Sequence, residues 1–543
     1  MSHQSIDVGS FVFIGRALTR AAIHVPTTPG YAAGVPLNAF VSYSIEFSSF
    51  PDFAGNSSNP NVFSNNLLKN LEAISRTKPY IRVGGNTQDY VVFDASQGTA
   101  LVGMVDPEKS PDYPTTITIG PAYFQSYSTW PGTKYIHGFN LGRNSTTARQ
   151  GLIDSVTYAC KALGDGKLAY WELGNEPDLF KTSSQGPVRP AGWNEQDYVT
   201  EWLRWTGQIR NAMRKACPKL ATDQAFQFYA PSFAGVSNSL DPITTWQQGL
   251  DADRDIALIT THNYISGAEV PGVTLQHTLM NHTANIASIA KQLNESHLLQ
   301  AEPDDTVPPG PYNSRTPFIM GETNSLYNQG RPGLSNTFGA ALWGVDFNLW
   351  CATNNISRVH MHQGTNYRYQ SWQPIETNIT AKGTKAPYYG NIAVATFLGE
   401  LDGEMGERPK VVNLPLPREE ESAYASYVDG QLASLIVINM QQYNATDYNA
   451  EYINHYARPV ERYEFQLPGR LRGNVQLQRM MANGSDAITG CTFGGYSYNY
   501  ELDNGMPVRL NNVTAAETAR VGRDGRLSIV LQFDRRGKPV HYR

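Results

Sequence analysis

Between residues 40 and 400 the apolar positions recur in two alternating rhythms. Short runs rich in β-branched and aromatic residues predict strands at 40–47 (FVSYSIEF), 79–84 (PYIRVG), 134–141 (KYIHGFNL), 168–174 (LAYWELG), 226–231, 256–263 (IALITTHN), 317–321 and 358–362 (RVHMH). Between and after them the apolar period lengthens to that of a helix. At 62–76, for example, Leu67, Leu68, Leu71 and Ile74 form one stripe, and similar stretches cover 148–163, 196–216, 242–250, 275–299, 335–354 and 387–398. This succession of eight strands, with helices between and after them, predicts an α/β fold, a (β/α)8 TIM barrel, with insertions before the third strand and around 301–317.

From about residue 405 the helical period disappears and only strands remain, with a turn signal at Asp429-Gly430 and another at Asp524-Gly525. The expected organisation is a catalytic barrel over 36–402 and an additional C-terminal all-β sandwich domain over 403–543. Residues 1–35 carry strand-like runs (SFVFIG, AAIHVP). No repeat, low-complexity tract or flexible linker is visible, so the two domains are expected to pack rigidly.

The chain of 543 residues has a formal net charge of −5, with 41% hydrophobic and 17% charged residues. That balance supports a large core and argues against a nucleic-acid partner or a disordered chain. No apolar run is long enough to span a membrane. The aromatic content, 30 Tyr, 21 Phe and 9 Trp, suits ligands with apolar faces and hydroxyl rims, such as saccharides. Cys160, Cys217, Cys351 and Cys491 are too scattered for a zinc site or a disulfide scaffold. Cys160 and Cys351, inside apolar helical stretches, read as small buried hydrophobes. The N-terminal segment lacks the pattern of a secretory signal. Asn-x-Ser/Thr sequons nevertheless recur at Asn56, Asn144, Asn281, Asn294, Asn355, Asn378, Asn444, Asn483 and Asn512, and point to a secreted glycoprotein.

In a barrel of this kind, chemistry gathers where the strands end at their C-terminal face. The fourth strand ends in WELGNEPD and puts Asn175 and Glu176 at that mouth. The seventh ends in FIMGETNS and puts Glu322 nearly opposite. Two facing carboxyl groups suit glycoside hydrolysis, in which one protonates the departing oxygen and the other attacks the anomeric carbon or activates water. Glu172 and Asp178 lack a matching partner and read as supporting or surface residues. Gly84, Gly85 and Asn86 end the second strand, where glycine admits a ligand close to the backbone, and Gln88 and Asp89 follow within reach. Arg82 reads as a buried, paired residue supporting one of the glutamates. His262, His360 and His362 lack the carboxylate or cysteine spacing of a metal site, so no metal and no cofactor are expected.

The segments IEFSSF (45–50), KPYIRVGGNTQDY (78–90), YWELGNEPD (170–178), THNY (261–264), FIMGETNSLYN (318–328) and QGTNYRY (363–369), in this order, resemble the β-glucuronidase and heparanase family of retaining glycoside hydrolases, glycoside hydrolase family 79. The resemblance implies Glu176 as the general acid/base and Glu322 as the nucleophile, and it implies that residues 1–35 complete the sandwich. Glu46 is then expected to accept hydroxyl protons from the sugar, Asn175 to bond its 2-hydroxyl, and Tyr264 to donate to Glu322. Tyr327 and Tyr367 are expected to bind the sugar's carboxylate. Thr365 and Asn366 occupy a stretch that is more glycine-rich in some relatives.

The expected activity is exo-hydrolysis of terminal β-linked glucuronic acid or its 4-O-methyl form, through a covalent intermediate and without an obligate protein partner. A heparanase-like endo-enzyme and an inactive carbohydrate-binding protein are the alternatives. The first would need an open, basic cleft and the second would not need both glutamates.

Overall fold

The computed structural model describes residues 22–31, 33–183, 186–301, 316–403, 408–445, 454, 460–469, 471–511, 513 and 517–531. Eight parallel strands close a barrel: β1 (Val41–Glu46), β2 (Ile81–Gly84), β3 (Tyr135–Phe139), β4 (Leu168–Leu173), β5 (Phe228–Phe233), β6 (Ile256–Gly267), β7 (Phe318–Tyr327) and β8 (Ile356–Gln363). All eight coincide with strands expected from the sequence. Their side chains are almost wholly buried because the barrel interior takes one face and the surrounding helices the other.

The helices start where the sequence supplies a side-chain cap. Asn61, Ser145 and Thr337 each accept a backbone N–H of the first turn, and Asn194 with Asp197 forms a reciprocal capping box. Two boundaries differ from expectation. The stretch 275–299 is broken into a turn at Leu275–Leu279 and helices His282–Ser288 and Ala290–Ala301, because the Asn281 side chain caps a new start on Ala284 N. Strands β6 and β7 run beyond the barrel to Gly267 and Tyr327, paired with each other throughout. Glu322 therefore lies within a strand and not after it. The insertion after β2 builds a small sheet from Val91–Phe93, Thr116–Ile119 and Leu101–Met104, packed through Phe93 against helix Thr146–Ala162.

Cys160 is not the unpaired hydrophobe expected. It forms a disulfide with Cys217, tying the ends of helices Thr146–Ala162 and Glu195–Ala216. Cys351 and Cys491 are buried free thiols.

Beyond the barrel, Lys410–Asn413, Glu421–Val428 and Gln431–Asn439 form one antiparallel sheet, turning at Asp429 and Gly430, both with positive φ. A facing sheet pairs Glu461–Gln466 with Arg526–Leu531. The Asp524-Gly525 turn also forms, yet the strands it joins belong to different sheets. The short strand Ile23–His24 adds in parallel to Phe465–Gln466, so this part of the N-terminal segment lies in the C-terminal sheet; the SFVFIG run falls outside the described residues. Val25, Tyr427, Phe465, Leu527 and Ile529 share the core between these sheets. Barrel and sandwich meet at Asp346, fully buried on helix Phe338–Thr353, whose carboxylate accepts from Tyr424 Oη and contacts His282 and Asn285. Among the described residues no helix is long and apolar enough to cross a membrane.

Candidate active site

At the C-terminal mouth of the barrel lies a cavity of about 530 Å³. Glu46, Asn86, Asn175, Glu176, Tyr264, Glu322 and Tyr327 all line it, as do His362 and Tyr369. Of the residues expected there, Gly85 and Tyr367 do not reach it.

Arg82 organises the floor. It projects from β2, is completely buried, and uses all five of its N–H donors. Nε and Nη2 form a fork on the Glu172 carboxylate at 2.9 and 2.7 Å, Nη2 also donates to Asn175 Oδ1 at 2.7 Å, and Nη1 donates to Ser44 Oγ at 3.0 Å and Glu322 Oε2 at 2.5 Å. Glu172 is therefore a buried counter-ion one turn of sequence from Glu176, not an unpartnered carboxylate. Asp178 is likewise buried, accepting from Ala234 N and Asn238 Nδ2. Asp89 accepts from the backbone N–H groups of Leu141, Gly142 and Asn175, and so fixes the loop that presents Asn175. Gln88 is buried against Phe139 O.

The two mouth glutamates differ in environment. Burial opposes ionisation of Glu322, but His362, His262 and Arg82, together with the 2.7 Å hydrogen bond from Tyr264 Oη, outweigh it and hold this carboxyl well below the usual range. Glu176 is pushed well above that range, first by burial and then by the charge on Glu322. Its side chain has one bonding partner among the described residues, His262 Nδ1 at 2.9 Å. Burial pulls His262 down to about 4, so its imidazole is neutral near pH 7 and shares a hydrogen bond with Glu176 without adding a charge. Glu176 also occupies the left-handed backbone region, φ 51° and ψ 50°, fixed by Pro177 after it and by its N–H bond to Ser232 O.

Glu46 is saturated. Thr87 donates N–H and Oγ1–H to Oε1 at 2.8 and 2.5 Å, and Tyr367 Oη donates to Oε2 at 3.0 Å, with His362 Nε2 at 3.4 Å. This explains both relocations. Gly85 has φ 96°, and a Cβ there would lie 2.8 Å from the Glu46 carboxylate, so its bareness makes room for Glu46 and not for a ligand. Tyr367 is buried with its hydroxyl committed to the same carboxylate.

Sequence reasoning assigned no role to His262 beyond a dismissed metal site, nor any to Tyr369. His262 stands two residues before Tyr264 on β6, a period-two signal that both face the mouth. No spacing in the sequence completes a metal set, yet Glu176, His262 and Glu322 bring ligand-type atoms within 4.8 Å of one another. The site's positive charge already comes from Arg82, which contacts Glu322 directly.

A closed (β/α)8 barrel whose mouth holds one carboxyl kept protonated and one kept ionised defines the class of two-carboxylate barrel glycoside hydrolases. Residues 423–532 match the glycosyl hydrolase family 79 C-terminal beta domain. The chain is 55% identical over 512 residues to a beta-glucuronidase of Aspergillus niger, covering 93% of this chain and 91% of that protein. It is 54% identical over 508 residues to one of Neurospora crassa, covering 89% of each. A solved 4-O-alpha-L-rhamnosyl-beta-D-glucuronidase of Fusarium oxysporum shares the fold, with a TM-score of 0.72 at 22% identity over 94% of this chain and 98% of that one. The chain belongs to the family 79 beta-glucuronidases.

Proposed function

We propose that the protein is a retaining exo-β-glucuronidase that removes terminal β-linked glucuronic acid, or its 4-O-methyl form, from glycans, with Glu322 as nucleophile and Glu176 as acid/base. The observation that carries this reading is the pair itself: opposite protonation preferences, with oxygens within 4.8 Å of each other. That separation supports direct attack on the anomeric carbon, since the inverting route needs about 6.5–9.5 Å to admit a water.

In the first step the Glu322 carboxylate attacks C1 while the C1–O bond breaks and Glu176 gives its proton to the leaving oxygen. Esterification removes the charge on Glu322 that helped hold the proton on Glu176. Glu176 then becomes more acidic, and as a carboxylate it takes a proton from the water that attacks C1 and releases Glu322. Among the described residues the cavity is lined by no lysine or arginine, which favours exo-hydrolysis over heparanase-like cleavage of sulfated chains. The protein is secreted in this reading, supported by the Cys160–Cys217 disulfide and by exposed sequon asparagines such as Asn56, Asn144 and Asn378.

The test is to assay chromogenic β-glucuronide, β-glucoside, β-galactoside and β-xyloside side by side, with NMR of the first product formed. The expected result is preferential release of β-glucuronic acid. Initial α-anomer would refute retention, and inactivity on all four would return the binding-protein alternative.

A further inference from the structure

Immediately after β7, Asn328, Gln329 and Gly330 take φ values of 61°, 59° and 79° in succession. Three consecutive left-handed residues, two of them not glycine, form a conformation that asparagine tolerates and glutamine resists. It persists because the surroundings impose it. Arg368 donates its backbone N–H to Gln329 O at 2.8 Å, Nε to Gly330 O at 3.1 Å and Nη2 to Asn328 O at 3.3 Å. The same guanidinium is forked onto the Asp112 carboxylate at 2.5 and 2.9 Å. One arginine thus gathers all three carbonyls of the turn on one side, and its charge is answered by an acid of the mouth insertion.

The turn also belongs to the cavity. Tyr327, Asn328 and Gln329 line it, and none of the three side chains has a hydrogen-bond partner among the described residues. Of the donors elsewhere on the wall, Tyr264 is engaged with Glu322, Asn175 with Asn86 and Asn86 with Tyr113, and Asn263 Nδ2 is left without a partner among the described residues but is buried beneath the rim on which Tyr327 and Asn328 stand exposed. Four acids, Glu46, Asp89, Glu176 and Glu322, line the same space. A uronate entering this cavity meets no cation among the described lining residues, so neutral donors must replace the water its carboxylate loses.

We infer that the Asn328–Gln329–Gly330 turn, locked by Arg368, reads the substrate's carboxylate through the two side-chain amides beside the Tyr327 hydroxyl. This rests on the β-glucuronidase reading. Asn328 and Gln329 are specificity-determining residues, and Arg368 is a positioning residue.

The test compares kcat/KM for nitrophenyl β-glucuronide and β-glucoside in three proteins. Asn328→Gly/Gln329→Gly keeps a left-handed turn, which glycine adopts freely, while removing both amides. The expected result is a fall of roughly tenfold in the glucuronide-to-glucoside ratio, carried by KM, with no loss in melting temperature. Arg368→Lys retains the charge toward Asp112 but lacks the planar fork, and should lower the ratio in the same direction. An unchanged ratio in the double glycine protein, or equal losses on both sugars, overturns the inference while leaving the β-glucuronidase reading intact. A parent protein that does not hydrolyse the β-glucuronide overturns the functional reading and this inference with it.

Discussion

The two sides of the cavity solve opposite electrostatic problems with the same residue type. Glu322 and Glu176 are both buried glutamates, and burial alone raises the pKa of either. On the β7 side, Arg82 and Tyr264 donate to both oxygens of Glu322 and His362 Nδ1 lies 3.6 Å away. On the β4 side, Glu176 receives one neutral imidazole and faces the charge of its partner. Charge state here follows from the number and charge of the donors, not from depth. The neighbourhood that makes one carboxyl a nucleophile is what keeps the other an acid.

Removing the better-supported side has the larger effect. Glu322→Ala should lower turnover of every glycoside by about 10⁴-fold or more, because no glycosyl-enzyme can form. Azide should restore product as the α-glycosyl azide; recovery of a β-azide would exchange the two roles. Glu176→Ala should be gentler and dependent on the leaving group. Glycosylation by activated nitrophenyl substrates persists, deglycosylation slows, and the alkaline limb of the pH profile disappears. A Glu176→Ala enzyme that retains this limb would assign the proton to another group.

Arg82 touches the comparison at its root. As a cation it favours the ionised form of both mouth carboxyls, so its loss raises both pKa values. In Arg82→Met the acid limb of kcat/KM, set by ionisation of Glu322, should move to higher pH, and the alkaline limb, set by deprotonation of Glu176, should move up with it. The variant also leaves Glu172 and Glu322 buried without their cation, a loss of about 3–5 kcal/mol in stability. Arg82→Met/Glu172→Gln should recover part of that loss in a denaturant melt but leave the acid limb displaced. Limbs that stay in place would mean that Arg82 is purely structural.

The fold and the pair of glutamates were legible because both depend on local signals. Strand period, strand-ending glycines and prolines, and the Asn-Glu-Pro and Gly-Glu-Thr endings all lie within a few residues of the groups they position. What escaped depends on partners far along the chain. Cys160 and Cys217 are 57 residues apart and carry no spacing signal. His262 meets Glu176 across 86 residues; Arg82 was expected from its place inside the second strand to support one of the glutamates, and only the choice of Glu322, 240 residues away, had no local signal. The end of β7 was misjudged because a strand continues as long as its neighbour does, and β6 runs to Gly267. The break at Asn281 was visible in principle, since Asn-His-Thr begins with a good N-cap; the apolar period on either side masked it.

The smallest effect separates two tyrosines that the family resemblance treats alike. Tyr367 is 1% exposed, its hydroxyl donates to Glu46, and a Cβ on Gly364 would fall 2.7 Å from its ring, so it is locked in place. Tyr327 is 45% exposed, lies across Gly267 and has a hydroxyl with no partner among the described residues. A donor already engaged inside the protein cannot discriminate between substrates unless it changes partner, whereas a free donor beside the cavity can. Tyr327→Phe should therefore lower kcat/KM for β-glucuronide relative to β-glucoside by roughly tenfold, the loss of one hydrogen bond to a charged group. Tyr367→Phe instead takes a donor from Glu46 and should weaken both sugars to the same extent. The comparison needs only the ratio of the two rates in each variant. If the ratio falls in Tyr367→Phe and stays constant in Tyr327→Phe, Tyr367 exchanges Glu46 for the substrate when the sugar binds, and the carboxylate sits on the β8 side of the cavity, not against the turn after β7.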